Sequence, residues 1–146
     1  MKKVMILLIV FFFIGLFKPL TINSQEDEIL AGCKASLRSP FIVSERTFKA
    51  LLTGEEVAEF RATFFSGTVY RLVSCGFESE NVQFTVMDTN RNIIFASTNY
   101  KNADLWDFQM EGSMECIIEA RLKTERVKSG MIFMLLGFRS SNPEAI

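Results

Sequence analysis

The chain of 146 residues contains no histidine, one tryptophan, three prolines and three cysteines. Without histidine there is no Ser-His-Asp or Cys-His nucleophile system, no imidazole-ligated zinc and no side chain that titrates near neutrality unaided. Internal repeats and low-complexity tracts are absent as well, so neither a solenoid nor a biased linker is expected.

What is present begins with an export signature. Lys2 and Lys3 precede an uninterrupted apolar stretch, Val4 to Phe17, that ends at Lys18-Pro19. This is the order of a secretory signal, and the stretch is shorter than the roughly 20 apolar residues a spanning helix needs. Ser24, with Ile22 two places before it, sets the expected cleavage, giving a leader of residues 1–24 and one domain of residues 25–146. The rival is an uncleaved N-terminal anchor, because the site departs from A-x-A; either way the domain is exported. Leu30-Ala31-Gly32-Cys33 matches the pattern at which lipoproteins are acylated, which leaves a lipid anchor through Cys33 as an alternative localisation. Position argues against it, since Lys18, Pro19 and Glu26-Asp27-Glu28 separate that cysteine from the apolar run.

Removing the three lysines of the leader from the 16 Lys and Arg leaves 13 against 17 acids, a net charge of minus 4. That balance gives nucleic acid no basic footprint, and no stable membrane span remains after cleavage. All three cysteines, Cys33, Cys75 and Cys116, lie in the exported part. An oxidising compartment allows one disulfide; Cys33 with Cys75 is the expected pair, and Cys116, in a strand pattern with Met114, Ile118, Ala120 and Leu122, is the expected buried thiol. Such a bridge closes a loop of roughly 40 residues, worth about 4 kcal/mol by chain entropy. Three reduced, buried thiols is the other reading.

Glu26 to Arg38 is predicted helical: Ile29, Cys33 and Leu37 fall four apart, acids crowd the first turn, Lys34 and Arg38 the last, and Ser39-Pro40 stops it. Its narrow apolar face suits a lid over a sheet. From there the period is two. Strands are predicted at Phe48–Leu52, Val57–Phe65 (Ala58, Phe60, Ala62 and Phe64 inward) and Val69–Cys75. Val82, Phe84 and Val86 then form a hairpin with Ile93-Ile94-Phe95 across Asp88-Thr89-Asn90-Arg91-Asn92. Leu105–Met110 places Trp106, Phe108 and Met110 on one face, and Ser113–Lys123 is broken only by Ile117. Gly130–Phe138 is apolar throughout, as in a central strand covered on both faces. Seven or eight short strands with one N-terminal helix predict a mainly β fold, an antiparallel sandwich or jelly roll, with a closed barrel as the alternative.

Candidate sites are few. Asp104, Asp107 and Glu111 offer carboxylates to a hydrolase working without histidine, but three acids along an exposed strand are ordinarily solvated. Asp88, Asn90 and Asn92 place oxygens at every second position, as calcium wants, yet lack the glycine and distant glutamate of an EF-hand loop and suit a plain turn. No cofactor is otherwise expected. Tyr100, with Trp106 behind it and Asp104 beside it, is the candidate ligand loop.

Gly67-Thr68-Val69-Tyr70-Arg71 leading to Cys75, Asp88-Thr89-Asn90-Arg91-Asn92 with Phe95, Trp106-Asp107-Phe108 and the closing Gly130 to Phe138 resemble a family of secreted or periplasmic proteins of Bacteroidetes-type bacteria. That family has no established activity, so the resemblance implies no catalytic residues. The Gly-x-x-Tyr strand, the hairpin and the last strand are similar, more loosely, to pre-peptidase C-terminal β-sandwich domains, which implies an accessory role. The expected function is therefore a non-enzymatic cell-envelope module binding another protein or a surface polymer, with a small-ligand (glycan or calcium) binder as the alternative. Phe65, Met87 and Ile117 are the off-pattern residues expected to face outward for a partner.

Overall fold

The computed structural model describes residues 23–77 and 82–142. The expected leader lies outside them except for Asn23 and Ser24, which open the helix α1, Asn23–Ala35. Eight strands follow among the described residues: β1 Ile42–Thr53, β2 Val57–Phe64, β3 Thr68–Gly76, β4 Val82–Asp88, β5 Ile93–Ala96, β6 Leu105–Gln109, β7 Met114–Leu122 and β8 Ser129–Ser140. They form two antiparallel four-stranded sheets, β1-β8-β3-β6 and β2-β7-β4-β5. Two such sheets face to face make the predicted sandwich.

Alternation decides which face each strand buries. Phe64 of β2, Leu72 of β3, Phe84 and Val86 of β4, Ile118 and Ala120 of β7, and Ile132 and Met134 of β8 meet between the sheets with almost no exposure. The β1–β2 connection crosses from one sheet to the other and closes one side of the sandwich, where Phe48 and Phe60 pack with ring centroids 5.2 Å apart. β8 lies between β1 and β3, and the residues it turns the other way, Phe133 and Leu135, sit under α1 with Val73, Cys75, Cys33 and Leu37. The apolar run of β8 is thus explained by burial on both faces.

Two elements depart from expectation by more than two residues. The helix runs three residues earlier than predicted, because Ser36 and Leu37 donate to the carbonyls three residues back, of Cys33 and Lys34, and tighten the last turn out of α geometry. β1 begins at Ile42 rather than Phe48, since it pairs β8 along its length through a register shift between Val43 and Thr47. The polar residues Ser44, Glu45 and Arg46 occupy that shift and hide the strand from its periodicity.

α1 is held to the sheet by more than apolar contact. A Cβ on Gly137 would stand 2.7 Å from Leu37 Cδ2 and 3.3 Å from Phe41 Cβ, so only glycine lets this corner seat so closely on β8. Arg71 of β3 makes a fork on Asp107 of β6 (2.6 Å to each oxygen), donates to the Ser36 carbonyl (2.9 Å) and stacks on Phe41. Its guanidinium is pushed further above its usual range chiefly by that Asp107 hydrogen bond. Cys33 and Cys75 are joined by a disulfide, their Cα atoms 6.1 Å apart.

Candidate functional site

On the side away from β1 and β2, the sandwich ends in β5 of one sheet and β6 of the other. The chain passes between them through a 3-10 turn, Ser97–Tyr100, followed by Lys101 and Asn102 in the left-handed region. Three anchors fix this connection. The fully buried Ser97 accepts the Phe84 N–H at Oγ (3.0 Å), Gln83 donates to the Asn102 side chain (2.9 Å), and Ser74 donates its N–H and hydroxyl to the Asp104 carbonyl (2.7 and 3.2 Å). Tied in this way, a surface loop presents its side chains in one geometry.

The side chain so presented is Tyr100, 62% exposed. Its ring lies parallel to Phe95, with centroids 5.2 Å apart and planes 11° off. Phe95 stacks on Trp106 (4.4 Å), Trp106 on Phe108 (4.1 Å) and Phe108 on Tyr70 (5.6 Å). Tyr70 ends the column by accepting the Phe65 N–H at its hydroxyl (2.9 Å). A column of rings drawn from two sheets therefore stands behind one exposed tyrosine. On β5 the two residues before Phe95, Ile93 and Ile94, are both exposed, where the ladder with β4 is irregular between Val86 and Met87. A three-residue apolar run in a short edge strand was the available signal for this pair, since alternation cannot bury all of Ile93-Ile94-Phe95.

Asp104 joins the site through its carbonyl, while its carboxylate is exposed. Asp107 is committed to Arg71, and Glu111 lies exposed in the turn after β6, so the three acids serve one backbone contact, one clamp and solvent. A polar cavity of about 620 Å³ adjoins the loop at Asn102 and is lined further by Gln83, Arg121 and Lys123, but by neither Tyr100 nor Asp104. An apolar cleft of about 250 Å³ lies apart from it, between Ile29 of α1 and Phe77, Met131 and Phe133.

The Asp88–Asn92 run is a hydrogen-bonded turn. Asp88 Oδ1 accepts the N–H groups of Asn90 and Asn92, and Oδ2 accepts the Asn92 side-chain amide. Those donors, the Asn92 amide foremost, hold the Asp88 carboxyl below its ordinary range. Among the described residues no cluster of three or more His, Cys, Asp or Glu is arranged to hold a metal.

Of the three residues expected to face a partner, Phe65 is exposed in the β2–β3 turn. Met87 and Ile117 are not. They do point away from the main core, opposite one another across β4 and β7, but Ile117 is only 2% exposed. The cover is Arg91. To reach Glu59 (2.6 Å) and Glu119 (2.8 Å) from the hairpin turn, its side chain must cross the row formed by Met87, Ile117 and Arg61. The apolar stem of an arginine covers such a row while its head stays paired. Glu59 and then Glu119 raise the Arg91 pKa further. Cys116 is buried among the inter-sheet residues, and burial, followed by the charges of Asp88 and Glu115, raises its thiol pKa.

Among the described residues no helix is long and apolar enough to cross a membrane. No family model and no curated protein matches the sequence significantly. In three dimensions the chain is similar to a periplasmic inhibitor of g-type lysozyme from Aeromonas hydrophila, with a TM-score of 0.52 at 13% identity over 70% of this chain and 90% of that one. At that identity the likeness concerns the fold: this chain shares its sandwich architecture with an exported protein that binds another protein.

Proposed function

We propose that the chain is an exported, non-enzymatic module that binds another protein through the β5–β6 side of the sandwich. The observation that carries this reading is Tyr100, exposed yet stacked on a column of rings whose β5 member, Phe95, follows the exposed Ile93 and Ile94 in sequence. Tyrosines fixed in this manner make effective contact anchors, because their ordering cost is met before the partner arrives. The Cys33–Cys75 bridge supports export, as such bonds persist in oxidising compartments. The fold neighbour supports both export and a protein partner, and makes a wall-degrading glycosidase the first partner class to test.

The test uses two readouts. The protein carrying a photo-reactive phenylalanine analogue at Tyr100 is expressed with its leader and irradiated in cells, and g-type lysozyme activity is measured with and without purified protein. We expect a discrete protein adduct from position 100 and none from an analogue at Thr124, on the β7–β8 loop. Inhibition at one-to-one stoichiometry, lost in Tyr100→Ala, would name the partner class. Adducts to glycan alone, or equal yields from both positions, would refute the reading. A small polar ligand is the second reading, favoured by the cavity at Gln83, Asn102 and Arg121; it predicts that Arg121→Ala, not Tyr100→Ala, abolishes binding.

A further inference from the structure

Four strands form the edges of the two sheets, and three of them carry a feature that deters pairing with another chain. β1 shifts register between Val43 and Thr47, β5 is four residues long with an irregular ladder, and β6 is five residues long. Short, bulged edges are the usual protection against edge-to-edge association. β2 has none of these. It pairs β7 in unbroken register from Val57 opposite Arg121 to Phe64 opposite Met114, contains no Pro, Gly or Lys over eight residues, and among the described residues has no strand on its other side.

The same edge is complementary to itself. When two β2 strands run antiparallel with Phe60 facing Phe60 of the second copy, Ala58 falls opposite Ala62, and Glu59 opposite Arg61, twice by symmetry. Opposite charges directly across a ladder attract. Sliding the register by one pair in either direction puts Glu59 against Glu59 or Arg61 against Arg61, and sliding by a single residue sends inward side chains outward. Only one register satisfies both charge and face. Glu59 has room for the new partner, since its Oε1 makes only a loose 3.7 Å contact with its own Arg61 while Oε2 holds Arg91.

We infer that two copies of this chain associate through β2 about a twofold axis, merging their β2-β7-β4-β5 sheets into one sheet of eight strands. The pairing uses the edge opposite β5 and stands independently of the protein-binding role, leaving one Tyr100 surface at each end of the joined sheet.

The experiment is sedimentation equilibrium on the protein expressed with its leader and purified after export, over concentrations up to about 1 mM, enough to populate even a millimolar dimer. Wild type is expected to show a monomer–dimer equilibrium. Arg61→Glu sets the new carboxylate against Glu59 of the second copy, twice by symmetry, and Glu59→Arg sets two guanidinium groups against each other in the same way. Each variant alone should therefore dimerise roughly tenfold more weakly or worse. An equimolar mixture of the two should recover association, because every pair across the ladder is then again opposite in sign. Amide exchange of wild type supplies a readout that no variant can spoil: β2 amides should slow with concentration while those of β5 and β6 do not. A wild type monomeric throughout, single variants that dimerise as wild type does, a mixture no better than its components, or protection arising on another edge would each overturn the inference.

Discussion

Replacing both Cys33 and Cys75 by alanine should be the most damaging change that leaves the main core untouched. The bond joins α1 to the central strand β3 across 42 residues of sequence, and in the chain-entropy model a loop of that length contributes about 4 kcal/mol. For a domain of roughly 120 residues, each kcal/mol moves the melting temperature by about 4 °C, so a fall of about 15 °C is expected. The loss should also be regional. α1 covers Val73, Phe133 and Leu135 through Cys33 and Leu37, and without the bond it is held by this small cluster, the Arg71 contact at Ser36 and an exposed ion pair between Glu26 and Lys49 of β1 (2.9 Å). Thermal unfolding by circular dichroism, with and without reductant, gives the magnitude, and amide exchange across α1 gives the location. Reductant should lower wild type toward the double variant and leave the double variant unchanged. A fall under about 4 °C, with α1 as protected as in wild type, would show instead that packing rather than the bond holds the helix.

Gly137→Ala should cost about 1–3 kcal/mol by forcing Leu37 off β8, despite the usual gain from replacing a strand glycine; a neutral or raised melting temperature would show that Leu37 has room to move. Ile117→Lys should cost on the order of 3 kcal/mol, since it buries a charge beneath Arg91; an unchanged denaturant midpoint would mean that the outer row is solvent-accessible. Asp88 has a depressed pKa in the folded chain, so its contribution to stability is complete above the unfolded carboxylate value of about 3.9 and is lost as pH falls through the folded value. The amide resonances of Asn90 and Asn92 should therefore titrate with a midpoint below about 3.9, and a midpoint at or above it would contradict the hydrogen-bond assignment.

Much of the fold was legible because burial in a sandwich follows a period of two. Ala58, Phe60, Ala62 and Phe64, or Val82, Phe84 and Val86, need only alternation to declare their inner face, and the apolar run of β8 needs only a second cover, which α1 supplies. Other features are properties of pairs, and a single strand cannot report them. Ile117 points outward as its alternation says, yet it is buried because the hairpin register carries Arg91 over it from a distant part of the sequence. Tyr100 was visible as a loop aromatic. What makes it rigid is not visible there, because Phe95 belongs to one sheet and Trp106 and Phe108 to the other, and their stacking exists only once the sheets have met.

Few surfaces of the sandwich are open to a partner. A sandwich ordinarily offers two broad faces, but the outer face of the β1-β8-β3-β6 sheet is occupied across its centre by α1 and the bond that secures it. The outer face of the other sheet carries a lattice of Glu59, Arg61, Glu115, Glu119 and Arg121 roofed by Arg91, in which each charge has at least one opposite neighbour. Exposed apolar side chains are accordingly left to edges and ends: Leu51 and Phe77 in addition to the β5–β6 side, and Ile42, Val57, Phe65 and Phe138 where the strands begin or finish. Several can contribute area. Only Tyr100 among them is backed by stacked aromatic rings, and a contact residue that cannot relax away loses the most when truncated. Binding energy should therefore concentrate at Tyr100 rather than at the scattered aliphatic side chains.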